Sequence, residues 1–318
     1  MRSKWLGALL SAVVVGMVMP TAALAATPAA TTGTVSKLTF SSVRLRGSVD
    51  PNKQNTTFYF QYGTTIALGT ETASFPAGNG DKAVPARIDV TGLAPATKYY
   101  YRLVAHNNSG TALGKRRSFT TKKQPLGVTL VATPNPVPAK NTATLLKGNL
   151  SGTGNAGRKV VLQSTVWPYT LPFQNISNEQ VTDATGNFAF PLLAGAVTQN
   201  TQFRVAMPER PAVVSPVVLF GVKPHVKSKV SKHRVQRRHL VRFSGSITPR
   251  AADQQVAFQK KHNGQWVTVG GVTRLRSGGK FSKNVRIRRG GTFRVWTGSS
   301  AGQYASNVGK KIKIKTFR

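Results

Sequence analysis

Beyond residue 25 the chain rarely spaces apolar residues three and four apart, as a helix requires; it spaces them two apart instead. VRLRGSV (43–49), TTFYFQYG (56–63), ARIDV (86–90), YYYRLVA (99–105) and RSFTT (117–121) are short runs rich in Val, Thr, Phe and Tyr, divided by Gly, Pro, Asn and Ser clusters. Alternate residues of a strand share a face, so each run has one side to bury and one to solvate. Many short strands at regular spacing predict an all-β chain built of sandwiches.

The remainder of the chain repeats itself. LKGNL (146–150) matches FSGSI (243–247), KVVLQ (159–163) matches QVAFQ (255–259), TGNFAF (185–190) matches GGKFSK (278–283), and QFRVA (202–206) matches TFRVW (292–296). The offsets fall in order from 97 through 96 and 93 to 90 residues, as small loop deletions would produce. One domain type used twice accounts for this. TKKQPLG (121–127) reads as a boundary. The expected organisation is a signal peptide at 1–25, a short linker at 26–33, and three tandem sandwiches at 34–122, 123–222 and 223–318.

In YYYRLVA, Tyr99, Tyr101, Leu103 and Ala105 form one face; Tyr100, Arg102 and Val104 form the other. The first face suits a core, and Arg102 then points outwards, as would Arg204 and Arg294 in the later FRV strands. A recurring arginine of this kind reads as packing with a solvated cation.

Leu93-x-Pro95-x-Thr97-x-Tyr99, followed by Tyr101, Leu103, Ala105 and Asn107, resembles the passage from strand E to strand F of fibronectin type III domains. The likeness spans about residues 34–122, and TTFYFQYGTT (56–65) resembles the central strand of bacterial members. It implies a tyrosine corner at Tyr99, its hydroxyl bonded to upstream backbone. Leu45 stands where the family's core tryptophan is expected. The loop NNSGTALG (107–114) has no Arg-Gly-Asp, so integrin-type adhesion has no support. The second and third units resemble bacterial immunoglobulin-like repeats through FSGSI, QVAFQ, GQW and TFRV.

Arg2 and Lys4, the apolar run Trp5–Met19 and Ala23–Leu24–Ala25 have the layout of a cleavable export signal. Fifteen apolar residues fall short of the roughly 20 that span a bilayer. The expected mature chain starts near Ala26, carries no transmembrane segment and is secreted or held at the cell surface. It has no cysteine, which removes disulfides, thiolate metal sites and thiol catalysis, and points towards a bacterial source.

Chemistry is scarce. Eight carboxylates serve the whole chain, and the nearest pair, Glu179 and Asp183, is compromised because Asp183 opens a turn. The five histidines lack metal-site spacing, and His225, His233 and His239 lie among eight cations. Gly152, Gly154 and Gly157 match a dinucleotide-loop spacing, but the strand-like RKVVLQ follows where a helix is needed. No catalytic residue, metal or cofactor is expected. An unfamiliar extracellular hydrolase, or an accessory region of one, remains as a further reading.

Charge is the remaining signal. The net charge is +37, and residues 223–318 hold 24 lysines and arginines against one acid, Asp253. Arg286 and Arg288 bracket Ile287, while Lys311, Lys313 and Lys315 interleave with Ile312 and Ile314. If the last two strands pair, Arg294 and Trp296 share an outer face with these lysines. The expected partner is an anionic cell-envelope polymer or polysaccharide; nucleic acid fits an exported chain less well. Segment 223–243 is expected to be a flexible basic arm, its valines too sparse for a strand. A carbohydrate-binding or adhesive alternative rests on the Trp167–Pro168–Tyr169 loop and the turn before Trp266.

Overall fold

A computed structural model describes residues 26–139 and 143–318, all in strands, turns and loops apart from one 3-10 turn at Ser277–Gly279. The expected signal segment lies outside the described residues. Contact density divides the chain into a unit ending at Lys123 and a second unit, Gln124–Arg318.

The first unit contains β1 (Ala29–Thr32), β2 (Ser42–Asp50), β3 (Thr56–Gly63), β4 (Thr70–Glu71), β5 (Phe75–Gly78), β6 (Val84–Thr91), β7 (Lys98–Asn107), β8 (Gly110–Leu113) and β9 (Arg117–Thr120). β1, β2 and β6 make one sheet; β3 and β7 centre the other, with β4 and β5 on one side and β8 and β9 on the other. This is the two-sheet arrangement of fibronectin type III and immunoglobulin-like domains. Residues 26–33 are not a linker. Ala29–Thr32 pairs antiparallel with Gly47–Asp50, supplying the first strand, and Thr32 Oγ accepts a hydrogen bond from the Leu103 amide at 3.0 Å.

Alternation places Tyr99, Tyr101, Leu103 and Ala105 in the core beside Leu45, Phe58 and Phe60. Burying a large apolar side chain contributes roughly 1.5–3 kcal/mol, so these residues dominate the stability of the unit. The Tyr99 hydroxyl accepts from the Ala94 amide at 3.0 Å, five residues upstream. Tyr101 instead donates to the Gly33 carbonyl at 2.7 Å, tying β7 to the residue that follows the other sheet's first strand. The opposite face is not wholly solvated, because Val104 is 1% exposed.

The second unit begins with β10 (Gly127–Thr133), β11 (Val137–Pro138), β12 (Thr144–Ser151), β13 (Lys159–Val166), β14 (Gln174–Asn175), β15 (Gln180–Val181), β16 (Asn187–Leu192), β17 (Thr201–Met207), β18 (Arg210–Val214), β19 (Val218–Phe220) and β20 (Val222–Lys223). It continues with β21 (His225–Val230), β22 (Arg234–Gln236), β23 (Leu240–Thr248), β24 (Gln255–His262), β25 (Gln265–Arg274), β26 (Lys280–Arg286), β27 (Gly291–Gly298), β28 (Asn307–Val308) and β29 (Ile312–Phe317). Two sandwiches result. The sheet β10-β12-β16 faces one centred on β13 and β17, and β21-β23-β26 faces one running β22-β29-β27-β24-β25.

The internal repeat is visible strand by strand. Each matching sequence pair occupies equivalent strands: β12 with β23, β13 with β24, β16 with β26, and β17 with β27. Both sandwiches also close one edge with a short parallel pair, β11 with β20 and β22 with β29. A glycine of the repeat explains part of this regularity. A Cβ at Gly148 would strike the Thr129 carbonyl and the Phe188 ring, and one at Gly245 would strike the Lys227 carbonyl and the Phe281 ring. Only glycine lets the first strand and a core phenylalanine close on the second strand together.

The basic segment 223–243 is ordered structure rather than an arm. β21 pairs with β23 over six residues, and β22 lies parallel to β29. Val226 and Val235 are 6% and 5% exposed, so two well-placed valines suffice once partner strands supply the hydrogen bonds.

The two sandwiches of this unit meet through specific bonds. Asn200, 6% exposed, donates from its backbone to Gln303 O and from Nδ2 to Gly302 O, and accepts from the Val222 amide at 2.8 Å. Trp167 Nε1 donates to the Ala301 carbonyl at 2.6 Å. Tyr304 and Ala251 reach from the third sandwich into the core of the second.

Candidate polyanion-binding faces

The three outward arginines are the first surprise of the sites. Arg102, Arg204 and Arg294 each stand directly across from a glutamine, Gln61, Gln163 and Gln259. In each pair Nε donates to the glutamine Oε1, at 2.7, 2.7 and 2.8 Å. The guanidinium of Arg204 also covers Phe173 at 4.2 Å, and that of Arg294 covers Trp266 at 4.1 Å. Arg294 is therefore half-buried, and burial pulls its pKa down from the ordinary arginine value. The expectation of a freely solvated cation does not hold for it. It is a structural cross-strand clamp, and both partners were present in the repeat motifs QVAFQ and TFRVW.

The rest of the expected set divides between two places. β27 pairs antiparallel with β29, with Thr292 opposite Lys313 and Gly291 opposite Ile314. Ile312 and Ile314 are buried while Lys311, Lys313 and Lys315 are exposed. The lysine row and the half-exposed Trp296 thus lie on the outer side of one sheet. Arg286 ends β26 in the other sheet, and Arg288 follows in the loop to β27. The seven residues do not form one face.

Arg286 and Arg288 belong to a groove of about 630 Å3 at one end of the third sandwich, with Lys260, His262, Arg289 and the bulged stretch Thr268–Gly270. A second groove of about 500 Å3 lies over Gly245, between Lys229, Arg276 and Lys280, with Ser244, Ser246 and Ser282 on its walls.

Nothing neutralises these cations internally. The three ion pairs among the described residues, Arg44–Asp89, Arg158–Glu209 and Lys159–Glu179, all lie outside 223–318. The one acid there, Asp253, accepts from Ser299 Oγ at 2.6 Å, Ser300 Oγ at 2.7 Å and the Ala301 amide at 2.7 Å. Those bonds hold its pKa down at about 2. Alternate lysines on a strand stand about 7 Å apart, where each pair repels by about 0.6 kcal/mol in water before salt screening. Each term is small. Summed over 24 cations and one acid they amount to a substantial self-repulsion.

The other chemically suggestive residues are occupied structurally. Asp183 Oδ1 accepts from the Thr185 and Asn187 amides, both at 2.8 Å, and these bonds, with the Thr185 hydroxyl, hold its pKa at about 2. Glu179 pairs with Lys159 at 2.8 Å. The loop containing Gly152, Gly154 and Gly157 runs into strand β13. Trp167 donates into the junction with the third sandwich, so it is not a free loop anchor, and Trp266 lies under Arg294. Among the described residues no group of three acids or histidines is placed to hold a metal ion, and no helix is long and apolar enough to cross a membrane.

No family model matches the chain, and no curated protein does. Solved structures resemble it loosely. A tetra-tandem repeat from the extending region of a large adhesion protein shares 13% identity over 91% of this chain and 74% of its own, with a TM-score of 0.31. The FN1–FN3 domains of chicken CNTN1 share 14% over 91% and 99%, at 0.28. The Yersinia pseudotuberculosis adhesin InvE shares 13% over 59% and 60%, at 0.27.

Proposed function

We propose that the protein is an exported, non-enzymatic binding protein whose third sandwich attaches it to an anionic polymer of the cell envelope or an anionic polysaccharide. The first two sandwiches then act as spacer or interaction surface. The observation that carries this reading is the uncompensated charge of residues 223–318, where none of the 24 cations has an acidic partner within 4 Å. Strands β20–β29 carry 14 of those cations, so much of the charge is held in ordered rows. The layout of residues 1–25 as a cleavable signal supports an extracellular destination.

The test is retention of the purified protein on immobilised polyuronate or sulfated polysaccharide. Substituting Lys311, Lys313 and Lys315 together by glutamine removes three solvated charges without touching the core. Weaker retention is expected from the triple variant, since each cation that meets the polymer releases counterions. Retention equal to that of the unsubstituted chain contradicts the proposal.

A further inference from the structure

The groove at the end of the third sandwich differs from the lysine row in one respect: its cations face one another from two walls, and a third wall closes it. Along β24, Val256, Phe258, Lys260 and His262 occupy successive alternate positions on one side. Val256 and Phe258 are fully buried, so Lys260 and His262 continue the inward row past the end of the core. Lys260 is half-buried; its Nζ lies 5.9 Å from the centre of the Phe293 ring and donates to the Arg289 carbonyl at 3.0 Å. Its ammonium group thus meets a carbonyl and an aromatic ring but no carboxylate.

The opposite wall is Arg286 and the loop Ile287–Gly290. Ile287, 1% exposed, anchors that loop and leaves Arg286, Arg288 and Arg289 around the groove. The third wall is a bend in β25. Gly270 and Gly271 both have positive φ, at 74° and 70°, and the register with β24 slips between Ala257 and Gln259. A Cβ at Gly270 would press on Val285 at 3.0 Å, so the glycine lets β25 fold over β26. No acid lines the groove.

We infer that this groove is a discrete binding site for an anionic glycan, its three guanidinium forks taking paired oxygens of successive acidic groups while Lys260 neutralises the innermost. The inference rests on the polyanion reading above and places its specificity. Arginine presents a planar fork that grips two oxygens at once, whereas lysine is a point charge. Phe293, the one phenylalanine of the lining, is 2% exposed, and no tryptophan or tyrosine lines the groove. With that ring covered, the lining offers mainly charge and hydrogen-bond donors, and the site suits a chain read through its acid groups.

The experiment uses calorimetric titration of the full mature chain with polygalacturonate, dextran sulfate and neutral dextran, at fixed salt. Two charge-preserving triple variants are compared: Arg286→Lys, Arg288→Lys, Arg289→Lys in the groove, and Arg242→Lys, Arg250→Lys, Arg274→Lys on exposed surface elsewhere. The groove variant is expected to lose about tenfold in affinity for the acidic polymer it prefers, with the control within about twofold. A stronger loss towards polygalacturonate assigns carboxylates as the ligand groups, and towards dextran sulfate, sulfates. Equal affinity of wild type and groove variant overturns the discrete site while leaving charge-driven attachment intact. Absence of binding by the wild type to both acidic polymers overturns the attachment reading and this site with it. As a check independent of the variants, a short acidic oligosaccharide should shift the amide resonances of His262, Gly270 and Arg289 before those of Ile312–Phe317. The reverse order also overturns the site.

Discussion

An arginine on the outer side of a strand has two ways to be useful, and position on the sheet decides between them. Arg294 sits on a central strand, flanked by Gln259 and Trp266, and becomes a clamp: one hydrogen bond at 2.8 Å and one ring face at 4.1 Å. Lys313, one strand further out, has no such neighbours and remains solvated. Arg294→Leu is therefore expected to lower the unfolding free energy by about 2–4 kcal/mol, the sum of a cation–π contact and a charged hydrogen bond. Chemical denaturation followed by tryptophan fluorescence measures it. The same variant should retain most of its affinity for acidic polymer. Affinity lost without stability would reverse the assignment.

At the scale of elements, alternation made the central strands legible: β3 coincides with TTFYFQYG, and Tyr99, Tyr101, Leu103 and Ala105 of β7 are buried as its pattern marks, although Val104 on the other face is buried too. What the pattern lacked was edge strands. Ala29–Thr32 and Arg234–Gln236 are too short and too polar to announce themselves, and both exist because a neighbouring strand offers unpaired backbone groups. The Arg–Gln clamps were hidden for a related reason. Register across strands is set by packing, so two residues about 40 positions apart cannot be matched from spacing alone. Arg286 and Lys313 looked alike in sequence, yet the sheets they belong to separate them.

The loop Ser299–Ala301 is the element on which the junction depends. Asp253 gathers its hydroxyls and amide, and Ala301 then presents its carbonyl to Trp167. The folded carboxyl has a pKa of about 2 against an ordinary 3.8. A depressed carboxylate contributes its stability above the unfolded value and loses it as pH falls through the folded one. Thermal melts of wild type should thus show this contribution intact above about pH 5, falling steadily below about pH 4 and gone only near pH 1. Asp253→Asn should melt below wild type at neutral pH, with the difference closing across that window. A constant difference from pH 7 to pH 2 would show that the ionised carboxyl is not what holds the loop.

At the scale of the molecule, the chain separates cohesion from charge. The first two sandwiches carry the ion pairs and most of the acids; the third carries more than half of the cations and a single acid already committed to a loop. Self-repulsion of that order is tolerated because Phe243, Phe258 and Phe293 fill a dry core beneath it. The junction built on Asn200 joins the charged sandwich to its repeat partner. The charge itself was legible from composition; its division into a lysine row and an arginine groove depended on the fold.

The most direct measurement of the central claim is the affinity of the full chain for a soluble acidic polysaccharide as a function of salt. The account predicts a straight, steep fall of log K with log salt concentration, as released counterions are lost as a driving force. Affinity that stays level as salt rises would contradict it.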